Sequence, residues 1–244
     1  MPQPPPPLTK RSQEEIFATY PWWDKGCALN AIVGERCTYI ECCVTRVLGR
    51  GALHQQQILE VGCGGGLISE ELARRGAQVI GVDPSPAALA TARAHTQQSG
   101  LGSQTHFLQA AAEALPFAAG SFSVIVCLDV LEHVHDLHTT ISEIARVLAP
   151  GGVFVFDTIN RTLMARIALI WVGERFFQRN GLVPGLHEYH AFIKPVELQH
   201  MLSTHALHVN ELVGLMPTMV KRRFTLRPGW FMGVSYGGYA TKTR

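Results

Sequence analysis

The chain has 244 residues, of which 47% are hydrophobic and 16% charged, and its formal net charge is +2 at pH 7. A chain of this length and composition can bury a sizeable core, which excludes an intrinsically disordered protein. Because the charges are few and scattered, we expect no nucleic-acid partner, and no apolar run approaches the ~20 residues of a membrane span.

The N-terminal part of the chain precedes the first predicted strand. Residues 1–10, MPQPPPPLTK, are rich in proline and contain no apolar h-region, which predicts a short disordered tail rather than a signal peptide. Residues 11–244 are expected to form one domain, which begins with a mostly helical cap over residues 11–50. Six cysteines, none of them in a CxxC pair, indicate reduced thiols and a cytoplasmic protein.

From Gln57 onward, short apolar runs alternate with helical patterns. The predicted strands are QILEVG, AQVIGVD, THFLQA, FSVIVCL and VFVFDTI, and the predicted helices are LISEELARRG, SPAALATARAHTQQSG and LHTTISEIARVLAPGG. This alternation predicts an α/β fold whose parallel sheet is covered by helices on both faces. Residues 159–194 form a predicted insert after the fifth strand, and residues 205–240 are predicted to add closing strands.

The first predicted strand ends in a glycine-rich loop, EVGCGGG, which contains Gly62 and Gly64. Glycines at this position allow a sharp turn from strand to helix and a close approach of the backbone to a ligand. Asp83 ends the second strand, where a carboxylate can accept hydrogen bonds from both hydroxyl groups of a ribose. A purely structural turn with a surface acid is the alternative, but the two features together favour a nucleoside cofactor.

The spacing of this loop indicates which nucleoside cofactor it binds. A dinucleotide site prefers G-x-G-x-x-G, in which a helix N-terminus holds a pyrophosphate. Here the loop is G-x-G-x-G, and Glu60 stands just before it, where it would repel a pyrophosphate. A carboxylate so placed suits a ligand with a positive amino group, such as the methionine part of S-adenosylmethionine (AdoMet). A nicotinamide oxidoreductase is therefore disfavoured.

Several motifs resemble those of the class I AdoMet-dependent methyltransferases: LEVGCGGG, VIGVDPS, AEALPF ahead of SFSVIVCLDVLEHV, and LAPGG. A narrower resemblance, over nearly the whole chain, is to the O-methyltransferases of ubiquinone biosynthesis. It is carried by WWDKG (22–26), LNAIVGERCTYI (29–40), TINRT (158–162) and GLHEYHAFIKPVEL (185–198). The resemblance implies a Rossmann-like, seven-stranded, mostly parallel sheet with a helical cap, and methyl transfer to a phenolic hydroxyl group.

The same resemblance implies AdoMet contacts at Arg36, Gly62, Asp83 and Leu128. Leu128 ends the fourth strand and would face the crevice in which open α/β sheets bind ligands, and a guanidinium at Arg36 could clamp the AdoMet carboxylate. Ala112 is expected near the adenine, because its segment ends the third strand. The chain departs from the family pattern in the cap and the insert, the parts expected to face the acceptor, at Asn30, Val33, Gly34, Leu186 and Tyr189.

The stretch CLDVLEHV places Asp129, Glu132 and His133 at the end of the fourth strand. If DVLEH begins a helical turn, positions i, i+3 and i+4 share one face, and two oxygens with one nitrogen suit a divalent ion such as Mg²⁺. In the family that the chain resembles, the equivalent acids and histidine are regarded as a metal site, although its first acid is Glu. The alternative is a metal-free site in which His133 is the general base and Glu132 orients it. A plain helix start that favours acids is a third interpretation.

The insert contains RTLMARIALIWVGERFFQ (161–178), whose apolar residues recur at helical spacing with arginines between them. Such a segment can lie on an anionic membrane and admit a prenylated substrate, or pack on the core as an amphipathic lid. His187, in the GLHEYH match, is a candidate for facing the acceptor. We expect an AdoMet-dependent O-methyltransferase that acts on a small aromatic or quinol molecule, with C- or N-methylation of another metabolite, or an inactive AdoMet-binding scaffold, as alternatives.

Overall fold

The computed structural model describes residues 13–54, 56–176, 183–220 and 223–243. The predicted tail over residues 1–10 lies outside these ranges. The strands are β1 (Gln57–Val61), β2 (Gln78–Asp83), β3 (Thr105–Gln109), β4 (Phe122–Cys127), β5 (Leu148–Ile159), β6 (Leu207–Val220), β7 (Arg223–Gly229) and β8 (Ser235–Lys242). Within the described residues they form one sheet of eight strands in the order β3-β2-β1-β4-β5-β8-β6-β7. The first five strands are parallel to one another, and the last three are antiparallel to their neighbours.

Helices precede, connect and follow these strands. They are α1 (Gln13–Ala18), α2 (Ala28–Ala31), α3 (Val33–Leu48), α4 (Leu67–Arg74), α5 (Pro86–Gln98), α6 (Leu137–Val147), α7 (Leu163–Ala165), α8 (Glu174–Phe176) and α9 (Pro195–Thr204). Helix α5 begins as expected, because the Ser85 side chain accepts a hydrogen bond from Ala88 N. Helix α6 begins in the same way at Asp136, which accepts from Thr139 N. These caps determine where the helices that follow β2 and β4 in the chain begin.

The sheet has one strand more than the seven that the sequence predicted. Strand β6 is long enough to pair twice: Leu207–Gly214 pairs with β8, and Gly214–Val220 continues past that pairing and joins β7. The eighth strand is therefore the outer arm of an edge hairpin. It leaves the other seven strands in the predicted mostly parallel arrangement.

Both faces of the sheet are buried, as an apolar parallel strand requires. Strand β1 shows the alternation directly, because Leu59 belongs to the core cluster that includes Ile144 of α6 and Leu198 of α9. Its neighbour Ile58 belongs to the cluster on the opposite face, which includes Ile40 of α3. One face thus carries α6 and α9, and the other carries α3 and α4.

The strand order places a ligand crevice at the C-terminal ends of β1 and β4. Chain order runs outward from β1 to β3 on one side and from β4 to β5 on the other, and such a reversal opens a crevice at the carboxyl edge of a sheet. Glu60 of β1 stands opposite Gly81 of β2 and Val126 of β4. The segments that follow these three strands therefore meet at one place.

The insert after β5 contains α7, a π-helix over Arg166–Gly173 and α8. Its start is tied to the segment before β8, because Asn160 Nδ2 donates to Met232 O at 2.7 Å and Thr162 Oγ1 donates to Gly233 O at 2.5 Å. The last two positions of the 161–178 segment lie outside the described residues. In the part of the chain that the structure describes, no helix is long and apolar enough to cross a membrane.

Candidate active site

The loop between β1 and α4 depends on its glycines for its shape. Gly62, Gly64 and Gly66 have φ angles of 73°, 49° and 82°, a region that L side chains rarely adopt. A Cβ atom added at Gly62 would lie 2.2 Å from a methyl carbon of Val130, so the segment after β4 closely approaches the loop. Gly62 N also donates to Val82 O at 2.8 Å, which fixes the loop to the end of β2.

Asp83 lies directly beside this loop. Its Oδ2 accepts from Gly64 N at 2.8 Å, and its Oδ1 accepts from Ser85 N at 2.9 Å. Burial raises the pKa of Asp83, and these two backbone donors oppose the rise. The structure thus brings together the predicted loop and the predicted ribose-binding acid. Ala112 is also buried, in the core cluster that includes Val82 at the end of β2.

Glu60 is a buried carboxyl group, only 5% exposed, just ahead of the loop. Burial raises its pKa to about 8, and the nearby Asp83 charge raises it further. The Ser69 hydroxyl group of α4 donates to Glu60 Oε2 and opposes this rise. A carboxyl group with so little solvent is stabilised as an anion when a cation, such as the ammonium of an amino acid, comes beside it.

Arg36 of α3 reaches the C-terminal ends of β4 and β5 and meets two carboxylates there. Its Nη2 lies 2.5 Å from Asp129 Oδ2 and 3.2 Å from Asp157 Oδ2. These partners raise the Arg36 pKa above its usual range against the opposing effect of burial. Leu128 lines one small cavity together with Arg36 and Asp157. Two of the cofactor contacts implied by the resemblance, Arg36 and Leu128, therefore share one wall, and Asp157 is an addition that the sequence did not reveal.

Glu132 points toward the face of the sheet that carries α9. The Thr158 hydroxyl group of β5 donates to its Oε2 at 2.8 Å, whereas its Oε1 has no hydrogen-bond partner within the described residues. Burial, and then the charge of Asp129, raises the pKa of Glu132 above its usual range. Glu132 also lines a cavity of about 330 Å³, whose other walls include Arg161, Phe192 and Met201.

His133 points toward the N-terminal helices and the insert. Its ring lies 5.5 Å from the Phe17 ring, edge to face, and 5.8 Å from the His187 ring, measured between centroids. Its Nδ1 is buried and has no hydrogen-bond partner in the described part of the chain. Burial, and then His187, lowers the pKa of His133 to about 4. The imidazole is therefore neutral at pH 7 and able to accept a proton.

The predicted metal site does not form from Asp129, Glu132 and His133. The spacing argument assumed a helix, but residues 131–133 form a turn and α6 begins only at Leu137. Each side chain contacts a different partner: Asp129 pairs with Arg36, Glu132 accepts from Thr158, and the His133 ring packs on its aromatic neighbours. Among residues 13–54, 56–176, 183–220 and 223–243, no group of three or more His, Cys, Asp or Glu side chains is placed to hold a metal ion. The donor set does not fit Mg²⁺.

The structure adds two tryptophans of the N-terminal segment to the site. A Cβ atom added at Gly64 or Gly65 would lie 2.3 Å from the Trp22 ring, so this ring covers the glycine loop. Trp23 Nε1 donates to Gly65 O at 2.9 Å, and the Trp23 ring stacks on His95 of α5. The two tryptophans belong to the WWDKG motif. The motif alone does not indicate that their rings would contact the glycine loop.

Glu174 connects the insert to the site. Its Oε1 accepts from His187 N at 2.9 Å and lies 3.2 Å from His187 Nδ1, and its Oε2 accepts from Gly185 N at 2.7 Å. This carboxylate therefore holds His187 beside His133. Sequence reasoning proposed His187 but missed Glu174, because the contact joins two distant parts of the insert.

Comparisons with known proteins agree with this geometry. A family model described as a methyltransferase domain matches residues 59–156. The ubiquinone biosynthesis O-methyltransferase of Acinetobacter baumannii (strain AYE) is 34% identical over 225 residues, which cover 91% of each chain. The enzyme of the same name from Xanthomonas axonopodis pv. citri (strain 306) is 36% identical over 91% of this chain and 89% of its own.

Solved structures share the fold at lower identity. The magnesium protoporphyrin IX methyltransferase from Synechocystis PCC 6803 with bound SAH has a TM-score of 0.61 and 21% identity, over 87% of this chain and 86% of its own. A [4+2]-cyclase matches with a TM-score of 0.60 and 16% identity, over 85% and 80% of the two chains. Because proteins with such different names share this architecture, these structures indicate the fold alone.

Proposed function

The chain belongs to the family of the ubiquinone biosynthesis O-methyltransferases and is an AdoMet-dependent methyltransferase; from this premise we propose that its acceptor is a hydroxyl group on an aromatic ring or quinol, with or without a prenyl tail. The observation that carries the proposal is the neutral His133 imidazole, whose Nδ1 is buried between Phe17 and His187 and has no hydrogen-bond partner among the described residues. A hydroxyl acceptor is the kind of nucleophile that needs such a base.

The cofactor would lie along the glycine loop, where it supplies an electrophilic methyl group on a sulfonium. Asp83 would accept hydrogen bonds from the ribose hydroxyl groups, for which its backbone donors at Gly64 and Ser85 already orient it. Glu60 would face the ammonium group and Arg36 the carboxylate of the amino-acid part. Ala112 would lie near the adenine and Leu128 along the crevice. The buried carboxyl group of Glu60 and the Arg36 guanidinium beside Asp129 support these roles.

His133 would remove the proton from the acceptor hydroxyl group. A phenol with a pKa near ~10 is mostly protonated at neutral pH, so a base positioned at the hydroxyl group would accept its proton as methyl transfer proceeds. Phe17 and His187 pack against the imidazole and limit its orientation and its access to water. Because the side chains of Asp129 and Glu132 turn away from it, we derive no step through a metal ion and assign proton removal to His133 alone.

The 330 Å³ cavity beside Glu132 would receive a group that extends from the acceptor ring, because His133, the proposed base, does not line it. Ligand sites of about 300 Å³ and more are typical for small molecules, and their walls are mostly apolar with a few polar groups. Here Leu131, Phe192 and Met201 provide apolar walls, and Glu132 provides an oxygen without a partner in the described residues. The cavity would therefore hold a substituent of the ring whose hydroxyl group meets His133.

The test is a methyl-transfer screen with isotope-labelled AdoMet over catechols, quinols and amines, each with and without EDTA. We expect methyl ethers from catechols or quinols, at a rate that EDTA leaves unchanged. Labelled methyl groups found only on nitrogen or carbon would contradict the O-methylation of an aromatic acceptor and favour another metabolite. Loss of turnover with EDTA and its return with Mg²⁺ would contradict the metal-free assignment.

A second part of the proposal concerns the insert, which we place against an anionic membrane surface on the cytoplasmic side. Its support is a set of exposed large apolar side chains: Leu163, Met164, Ile167, Trp171, Val172 and Phe176. Such a surface can partition into the headgroup region and admit a lipid-tailed acceptor. The free cysteines support a reducing compartment.

Flotation with vesicles that contain anionic lipid tests this part. Trp171→Glu should reduce vesicle binding, because Trp171 is 57% exposed in the insert. Trp230→Glu is the matched control, since Trp230 is 90% exposed but lies outside the insert. Equal binding of the wild type and Trp171→Glu would refute membrane contact through this segment. It would leave the methyl-transfer proposal intact.

A further inference from the structure

Asp129 has a left-handed backbone conformation, and contacts with neighbouring residues hold it there. Its φ angle is 52°, and Ala206 is the one other non-glycine residue with a positive φ in the described ranges. This left-handed region is unfavourable for a residue with a Cβ atom, and it persists where neighbouring groups hold it.

Asp157, at the end of β5, is the group that holds Asp129. Asp157 Oδ1 accepts a hydrogen bond from Asp129 N at 2.7 Å. Because this bond uses the backbone N–H, it fixes the peptide between Leu128 and Asp129 rather than the side chain. The Asp157 side chain is 3% exposed, so water does not compete for the bond.

The second oxygen of Asp157 fixes Arg36. Asp157 Oδ2 lies 3.2 Å from Arg36 Nη2, the same nitrogen that lies 2.5 Å from Asp129 Oδ2. The two carboxylates thus hold one end of the guanidinium. Arg36 Nε, in contrast, has no hydrogen-bond partner within the described residues, although it is buried. A donor remains available at that end for a ligand carboxylate.

Asp157 therefore contacts both the peptide after Leu128 and the Arg36 guanidinium. Leu128, Arg36 and Asp157 line the same small cavity. One carboxylate determines the direction of the peptide after Leu128 and the orientation of the guanidinium. Asp157 does not line the cavity beside Glu132, which we assign to the acceptor.

We propose that Asp157 is a positioning residue for AdoMet: it holds the Leu128–Asp129 peptide and the Arg36 guanidinium in the arrangement that receives the amino-acid part of the cofactor. This role rests on the proposed function, because it assumes that AdoMet binds in this crevice. Asp157 acts through Arg36 and the peptide, and it takes no part in proton transfer.

Two substitutions separate the two contacts. Asp157→Ala removes both contacts, whereas Asp157→Asn keeps an oxygen for Asp129 N and replaces the oxygen that faces Arg36 by an NH₂ group. We expect Asp157→Ala to weaken S-adenosylhomocysteine binding by at least tenfold in calorimetry, and Asp157→Asn by a smaller factor. In steady-state kinetics the KM for AdoMet should rise by similar factors, while the KM for the acceptor stays within twofold of the wild type.

A matched control accounts for simple loss of stability. Asp136→Ala removes a carboxylate that caps α6 and faces neither Arg36 nor Leu128, so it should lower the melting temperature without changing S-adenosylhomocysteine affinity. A double-mutant cycle with Arg36→Lys should show that the Asp157→Asn effect shrinks when the guanidinium is absent. Equal effects in both backgrounds would show that Asp157 does not act through Arg36.

The proposal fails if folded Asp157→Ala and Asp157→Asn bind S-adenosylhomocysteine within twofold of the wild type. If Asp157→Ala does not fold, Asp157→Asn alone decides the question by the KM split and the cycle. Asp83→Asn separates this failure from that of the proposed function. Loss of binding in Asp83→Asn, with full binding in both Asp157 variants, would overturn the positioning role only. A wild-type protein that binds no S-adenosylhomocysteine would overturn the cofactor site itself.

Discussion

Replacing Glu60 by Gln tests the most strongly perturbed carboxyl group of the glycine-loop region. In the folded chain, burial raises the pKa of Glu60 to about 8 from an ordinary value of 4.5. The folded state therefore holds a proton that the unfolded chain releases. Stability is highest below the unfolded pKa, falls as the pH rises from 4.5 to 8, and then levels off.

The size of this effect follows from the two pKa values. At 1.36 kcal/mol per pH unit, the ligand-free protein loses up to about 5 kcal/mol of folding free energy through Glu60 between pH 4.5 and pH 8. For a chain of this size, about 1 kcal/mol corresponds to roughly 2–4 °C in melting temperature. The melting temperature of the wild type should therefore fall by up to roughly 10–20 °C more than that of Glu60→Gln over this range.

Thermal unfolding of the two proteins between pH 5 and pH 9, without ligand, is the assay. The difference between their curves matters, because Asp157 and Glu132 are also buried carboxyl groups and contribute to both proteins alike. Glu71→Gln is the control, since its arginine partners lower the Glu71 pKa and its removal should not flatten the curve. Parallel curves for the wild type and Glu60→Gln would refute the assignment of Glu60 as a neutral buried group.

The same pKa shift predicts how ligand binding depends on pH. An ammonium group beside Glu60 favours the ionised carboxylate, so S-adenosylhomocysteine binding must release the Glu60 proton below pH 8. Affinity should rise by up to about tenfold per pH unit between pH 6 and pH 8. Glu60→Gln should bind more weakly and lose this slope. A flat wild-type affinity over the same range would show that Glu60 does not face the ammonium.

Three further substitutions test the loop and the base. Asp83→Ala should abolish AdoMet binding in calorimetry, because it removes the acceptor for the ribose, and measurable binding would contradict that role. His133→Ala should keep S-adenosylhomocysteine affinity but lose turnover by at least about a hundredfold, whereas the peripheral His138→Ala should keep both, and full turnover in His133→Ala would refute the catalytic assignment. Gly64→Ala should weaken AdoMet binding at least tenfold, because the new Cβ at φ 49° meets an indole ring at 2.3 Å. Gly34→Ala, with nothing within 4 Å of its added Cβ, should leave AdoMet binding unchanged, and equal effects of the two substitutions would contradict this explanation.

The parts of the fold that the sequence predicted correctly depend on neighbours in the chain. The alternation of apolar strands and helices, with Ser85 as a cap, gave the parallel half of the sheet and its helices. The glycine loop and Asp83 follow consecutive strands, so parallel pairing alone brings them together. The sequence did not predict the extra strand, β7. This strand pairs only with the end of β6 that extends beyond β8.

The direction of each side chain after β4 could not be predicted in this way. The spacing of Asp129, Glu132 and His133 places them on one helix face only if a helix is present. In the structure each direction is decided by a partner that lies far away in sequence, such as Arg36 for Asp129 and Thr158 for Glu132. The proposed roles of these residues therefore stay predictions until the substitutions are made.

The divergence of these three side chains separates the requirements of the cofactor from those of the acceptor. Asp129 faces Arg36 on the α3 side of the sheet, whereas Glu132 faces the α9 side and its 330 Å³ cavity. Changes on the acceptor side can therefore accumulate without disturbing the charges that face AdoMet. The departure from the family pattern at Tyr189 fits this division, because Tyr189 packs in an apolar cluster of the insert rather than against the glycine loop. Leu186 belongs to the apolar cluster against which Trp22 packs, so it lies closer to that loop. On this reasoning the choice of acceptor should change when the insert is exchanged with that of a relative, while the affinity for S-adenosylhomocysteine stays the same.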